Sequence, residues 1–176
     1  MMAYIGLGSN LSTKAGNSEK TLRSALSLLP NFGVTIKTIS PFYTTAPIGP
    51  FVQPDYVNAV AHIIWEKDAR SLLNQLHKVE ALFLRERTQR WQARTLDLDL
   101  LDFDSLVVPD ADTWERAGRT SKAPDGLILP HPRLHQRQFV LQPFSDIAPE
   151  WVHPVLKCTI SELLAALPDQ NVRRLD

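Results

Sequence analysis

The sequence predicts an α/β (α+β) sandwich, with helices flanking a largely antiparallel sheet. Three observations lead there. Apolar runs of strand length lie near residues 3–8, 33–43, 56–65 and 96–101, and stretches with helical spacing fall at 18–29 and 69–86 between them. A chain of 176 residues, 44% of them hydrophobic, is long enough for one sizeable core and short for two, so a single domain over 1–176 is expected. In 96–101 acids alternate with leucines, the period-two pattern of a strand with one buried and one wet face.

In chain order, Ala3 to Gly8 is a short buried strand ending in the turn formers Ser9 and Asn10. Its two glycines lack the third of a dinucleotide fingerprint, since Leu11 stands there. Gly6 and Gly8 let another backbone or a ligand approach closely, or serve structure alone. Leu22, Ala25, Leu26 and Leu29 recur at helical spacing, giving a helix over 18–29 closed by Pro30. Val34, Ile36, Ile39, Phe42 and Tyr43 form a strand interrupted or bent near Pro41. Residues 44–55 hold three prolines and a glycine and form a stiff loop, able to hold backbone groups toward a planar ligand. Tyr56 to Trp65 is a strand that starts with Tyr56 and Asn58 on one face; a stacking ring and an amide suit a heterocycle, and an ordinary cross-strand tyrosine and turn asparagine are the plainer alternative.

Asp68 caps a helix predicted to run from about 69 to 86, with Leu72, Leu76, Val79 and Phe83 as its apolar stripe. His77, Glu80 and Arg87 fall off or at the edge of that stripe, where surface residues are commonest. The segment 108–126 is loop-like and long for a connection. It leads to Leu127–Leu129 and then to His131, Arg133, His135 and Arg137, a polar turn or a cationic cluster, with Phe139, Val140 and Leu141 beginning a buried helix. Thr159-Ile160-Ser161-Glu162 is a capping-box pattern ahead of a short final helix. Residues 169–176 are expected to be a loose tail.

The chemistry concentrates at Asp97 and Asp99. Two carboxylates on one strand face repel each other unless a cation offsets the cost, and Asp is depleted from strands. A solvated sheet face is the plain alternative. The upstream arginines Arg85, Arg87, Arg90 and Arg94 shift the balance, because carboxylate-bound Mg2+ and guanidinium groups together suit a polyphosphate. Zero formal net charge argues against broad attachment to nucleic acid or membrane. One cysteine, Cys158, fits a reducing compartment. With no basic leader and no apolar run of membrane length, the chain is expected in the cytoplasm.

Six pieces in order carry a resemblance: Tyr4–Leu11, Tyr43–Gly49, Gln53–Ala59, Arg94–Leu100, Leu129–Arg133 and Arg137–Leu141. Together they resemble 6-hydroxymethyl-7,8-dihydropterin pyrophosphokinase. The resemblance implies a ferredoxin-like fold and ATP-dependent transfer of pyrophosphate to the pterin hydroxymethyl group, with AMP released, in folate biosynthesis. It implies two Mg2+ ions on Asp97 and Asp99, and catalytic Arg85 and Arg94 on a closing loop. It places the pterin between Tyr56 and Phe139, read by Asn58 and by Thr45, Ala46 and Ile48, with Trp91 covering it. It places ATP against His77, Glu80, Arg87, Leu100, Ile128, His131 and Arg137. Partners are then small molecules only, with no nucleic acid or membrane, and the chain is expected to be a monomer.

This chain departs from the family pattern at Leu84, at Gln92-Ala93 and in the longer 108–126 segment. A paralogue with altered substrate and a non-catalytic pterin- or nucleotide-binding module are therefore weighed beside the main reading. A two-metal nuclease or phosphohydrolase is a further class, separable by its products.

Overall fold

The computed structural model describes residues 1–11, 16–46, 53–83, 95–120 and 126–175. Six strands form one sheet: β1 (Met2–Ser9), β2 (Thr35–Ile39), β3 (Tyr43–Thr45), β4 (Tyr56–Ile64), β5 (Asp97–Phe103) and β6 (Arg173–Arg174). The order across it is β5-β1-β4-β3-β6, with β2 also on β4, and every pairing is antiparallel. β1 occupies one side of β4, so β2 and β3 share the other. They meet at Ser40, whose N–H donates to the Val60 carbonyl (2.9 Å) and whose hydroxyl oxygen accepts from the Val60 N–H (3.0 Å). The expected interruption near Pro41 is this junction.

Helices α1 (Ser18–Leu28) and α2 (Ala69–Leu82) bring Leu22, Leu26, Leu72, Leu76 and Val79 into one core with Ile5, Leu7, Ile63, Leu98 and Leu100. Asn17 and Asp68 cap them by accepting backbone N–H groups from Lys20 and Ser71. Pro30 does not stop α1 outright. It sits at the start of a tight 3-10 turn, Leu29–Phe32, closed by Gly33 at φ 82°. α2 ends at Leu82, short of the expected 86, and the residues beyond Phe83 lie outside those described.

The other sheet face carries α4 (Gln138–Ile147) and α5 (Ile160–Ala165), which with Val60 and Leu101 enclose Leu134, Phe144 and Trp151. The capping box on α5 is present, Thr159 and Glu162 satisfying each other's backbone N–H groups. Two expectations are overturned. The segment 108–126 holds a helix, α3 (Ala111–Arg119), capped by Asp110; it buries only Trp114, so no apolar stripe announced it. The tail is not loose. The Gln138 N–H donates to Gln170 Oε1 (3.0 Å), the Gln170 N–H donates to Gln138 Oε1, and β6 adds to β3.

His153 lies fully buried beside α3, its ring against Trp114 (4.9 Å) and Trp151 (5.5 Å), and its Nδ1 accepts the Val155 and Leu156 N–H groups. Burial pushes the imidazole down to about 4, with His135 and Lys157 adding to the effect. The unfolded chain takes up this proton near pH 6.5, the folded chain only near 4, so the unfolded state holds more protons between those values. Stability is therefore full above pH 6.5 and falls as pH drops toward 4. Thermal melts across this window are expected to show a shallower decline for His153→Gln than for wild type; parallel declines would discount His153 as the source.

No helix among the described residues is long and apolar enough to cross a membrane.

Candidate active site

β1 runs between β4 and β5, and the site is built on that adjacency. Gly8 is paired with Asn58 on one side and Asp97 on the other; Gly6 is paired with Val60 and Asp99. Neither glycine puts a side chain on the floor between the acids and the asparagine. A Cβ on Gly8 would lie 3.4 Å from Asn58 Oδ1 and 3.9 Å from Asp97 Cβ, so a side chain there would fill the space. That is the close approach the two glycines permit.

Asp97 and Asp99 stand on the face that carries α4, and Leu98 and Leu100 turn into the core, as the alternation predicts. Their donor chemistry fits Mg2+, which takes one or two carboxylates and fills its remaining positions with water and substrate phosphate oxygens. Among the described residues no group of three or more His, Cys, Asp or Glu side chains assembles, so a metal here would depend on such exogenous oxygens.

Arg137 and His131 meet at Asp99. Arg137 Nη1 lies 3.3 Å from Asp99 Oδ2, and His131 Nε2 lies 3.9 Å from the same oxygen. His131 is 15% exposed, and burial pushes its imidazole down to about 4; Asp99 opposes this, while Arg137 and Arg133 reinforce it. The ring is neutral at pH 7. Its Nδ1 accepts the Arg133 N–H (3.2 Å), which leaves the ring proton on Nε2, the nitrogen toward Asp99.

At the other end of the floor Asn58, 6% exposed, donates from Nδ2 to Thr45 Oγ1 (3.0 Å), which fixes the amide with Oδ1 toward Gly8. Tyr56 is two residues earlier on the same face, and Ala46 follows Thr45 at the end of β3. Phe139, in the first turn of α4, lies under the Arg137 guanidinium at 5.6 Å. α4 packs over β4 and β3, so Arg137 reaches from the aromatic end of the site to the acidic end.

The residues expected near the nucleotide divide. His77 and Glu80 lie on α2, and the Leu100 side chain is buried in the core beneath it. Ile128 precedes Leu129, which is joined to Val108 by an isolated bridge. Glu80 is not at the surface. It is 1% exposed, and its Oε1 accepts the Leu98 N–H at 2.8 Å, between the two acids. Arg85, Arg87, Trp91, Arg94 and Ile48 fall outside the described residues, as do Leu84 and Gln92-Ala93.

Residue-by-residue reading missed Asn10. Its Nδ2 donates to Gln53 Oε1 (3.0 Å) and the Pro54 carbonyl (3.1 Å), tying the end of β1 to the start of the segment that enters β4. The sequence offered only an amide directly after Gly8-Ser9, which reads as a turn former; its burial, at 1% exposed, comes from the fold.

A family model described as 7,8-dihydro-6-hydroxymethylpterin-pyrophosphokinase (HPPK) matches residues 4–149, well over half of the chain. The chain belongs to the HPPK family. A 2-amino-4-hydroxy-6-hydroxymethyldihydropteridine pyrophosphokinase of Haemophilus influenzae is 37% identical over 174 residues, spanning 99% of this chain and 98% of that one. The enzyme of the same name from Pseudomonas aeruginosa is 34% identical over 98% of this chain and 95% of its own. A Plasmodium falciparum HPPK-DHPS crystallised with pteroate superposes with a TM-score of 0.66 at 17% identity, covering 93% of this chain. This chain spans only 42% of that longer protein, and the likeness shows the HPPK fold alone.

Proposed function

We propose that this chain transfers the terminal diphosphate of ATP to the hydroxymethyl oxygen of 6-hydroxymethyl-7,8-dihydropterin, releasing AMP, as a Mg2+-dependent pyrophosphokinase of folate biosynthesis. Membership of the HPPK family supplies the reaction class. The observation that carries the reading onto these residues is the shared floor: Asp97 and Asn58 flank Gly8 in adjacent strands. Neighbouring strands are about 4.8 Å apart, which separates the two backbones by roughly 10 Å. A bicyclic heterocycle at Asn58 can thus present its hydroxymethyl arm toward the acids.

Asn58 and the Thr45 and Ala46 backbone read the edge of the pterin in this proposal, Tyr56 and Phe139 hold its faces, and Ile48 and Trp91 complete the enclosure. Asp97 and Asp99 would hold two Mg2+ ions, which when bound would supply neutralisation of the phosphate charge. His131 offers a neutral N–H donor beside Asp99, and Arg137 a guanidinium that can contact phosphate oxygens next to the carboxylate it already faces. Arg85 and Arg94 act on the transferring group and Arg87 on the nucleotide, roles that rest on the sequence motifs. The base is assigned to the outer edge of β5 around Leu100, beside Ile128, His77 and Glu80. This edge is held at Leu98 by Glu80 and at Leu101 by the His131 N–H.

No covalent nucleophile is needed. Bringing the alcohol and the β-phosphorus together in line and screening the developing charge account for most of the catalysis such a transfer requires. Action in the cytoplasm, which the single cysteine supports, and as a monomer belong to the same proposal. The test is incubation with ATP, Mg2+ and the reduced pterin. Stoichiometric AMP and pyrophosphorylated pterin are expected, and release of inorganic phosphate or cleaved nucleic acid instead would overturn the reading.

A further inference from the structure

Helix α3 supplies none of the residues assigned to substrate, yet it grips the loop that carries His131. Its anchor is Trp114, 2% exposed, whose indole N–H donates to the Pro130 carbonyl at 2.8 Å. One turn later Gly118 packs so closely on the loop that a Cβ there would lie 2.9 Å from the Pro132 carbonyl oxygen. The Gln136 side chain donates back to the Gly118 carbonyl at 3.4 Å, and the His135 ring lies against Trp114 at 5.2 Å. The base of the segment is closed by two backbone hydrogen bonds of 3.0 Å between Val108 and Leu129.

The residues on either side of His131 are thus each held by α3, Pro130 through a hydrogen bond and Pro132 through close contact. His131 itself is tied to β5 by its N–H to the Leu101 carbonyl (2.7 Å). Its Nδ1 accepts the Arg133 N–H, which directs Nε2–H to the Asp99 side. The ring has little freedom left except what the loop's own placement allows. A shift of the Pro130–Pro132 backbone moves the Nε2 donor relative to Asp99 directly.

We propose that Trp114 and Gly118 are positioning residues for nucleotide binding, with α3 acting as a brace that sets the His131 loop at the distance from Asp99 that a polyphosphate requires. This rests on His131 contacting nucleotide. A core tryptophan whose only contribution is buried area would stabilise the fold equally well without its N–H, and this separates the two roles. Trp114→Phe keeps an aromatic ring in place and removes the donor to Pro130. Gly118→Ala leaves Trp114 intact and pushes on Pro132 instead.

The probe is α,β-methylene-ATP with Mg2+, in which the bond broken in the reaction is replaced, titrated calorimetrically into the full chain. Trp114→Phe and Gly118→Ala are each expected to weaken binding about tenfold, since small misplacements of a positioned group are costly. In a His131→Ala background either change is expected to add almost nothing. Reduced-pterin affinity is expected to stay within twofold of wild type in all variants. Should Trp114→Phe fail to fold, Gly118→Ala carries the same test. Unchanged analogue affinity in the folded variants, or equal weakening with and without His131, would overturn the brace alone. Wild-type protein that does not bind the analogue would overturn the nucleotide reading, and the brace with it.

Discussion

Replacing Asp97 or Asp99 with alanine is expected to lower the rate of AMP formation by at least about 10³-fold while the protein stays folded, because metal-held charge stabilisation contributes several kcal/mol to such a step. The two carboxylates share one face of β5, two residues apart. Side chains so placed repel each other in the absence of a cation. Asp97→Asn should therefore match or exceed the wild-type melting temperature without Mg2+ while losing turnover, the usual trade between activity and stability. Asp99 also faces Arg137 at 3.3 Å, but with the carboxylate 36% exposed that pair contributes little. Wild-type rates in either alanine variant would reduce the pair to a solvated sheet face.

Glu80→Ala is expected to be strongly destabilising. The carboxylate is 1% exposed, and its Oε1 receives the Leu98 N–H at 2.8 Å, joining α2 to β5 at the residue between the two acids. Alanine removes this hydrogen bond and strands the Leu98 donor in the interior, a loss of about 3 kcal/mol. For a chain of this length that lowers the melting temperature by roughly 6–12 °C. Glu80→Gln keeps an acceptor and should stay within about 1 kcal/mol of wild type. Thermal denaturation decides it: an alanine variant that melts like wild type would discount Glu80 as a structural tie.

Glu80 also shows where sequence reading runs out. By helical spacing it falls at the edge of the Leu72, Leu76, Val79 stripe, and an acid there reads as surface. What buries it is a backbone N–H in a strand 18 residues away, which no local pattern records. The tail misled for the same reason. Gln170 is held by Gln138, 32 residues earlier, and Arg173–Arg174 by β3, about 130 residues earlier. α3 escaped because a helix that buries one side chain has no period to detect.

Other features were legible because their causes are local. Asp68 and Thr159 cap helices through bonds to residues three positions on, and Pro41 interrupts its strand because it has no N–H to give the ladder. The facing of Asp97 and Asp99 follows from the period of a strand alone.

By itself the sequence determined the strands β1, β4 and β5, the helices α1, α2 and α5, the shared face of the two acids and the resemblance to a pyrophosphokinase, since alternation, caps and ordered motifs act over a few residues. Only the tertiary structure decided that β1 lies between β4 and β5, which sets Asn58 and Asp97 on opposite flanks of Gly8. It alone decided that α3 holds the loop of His131 and that Glu80 points inward. Those facts depend on which distant backbone groups meet, and that choice is made by packing the whole core.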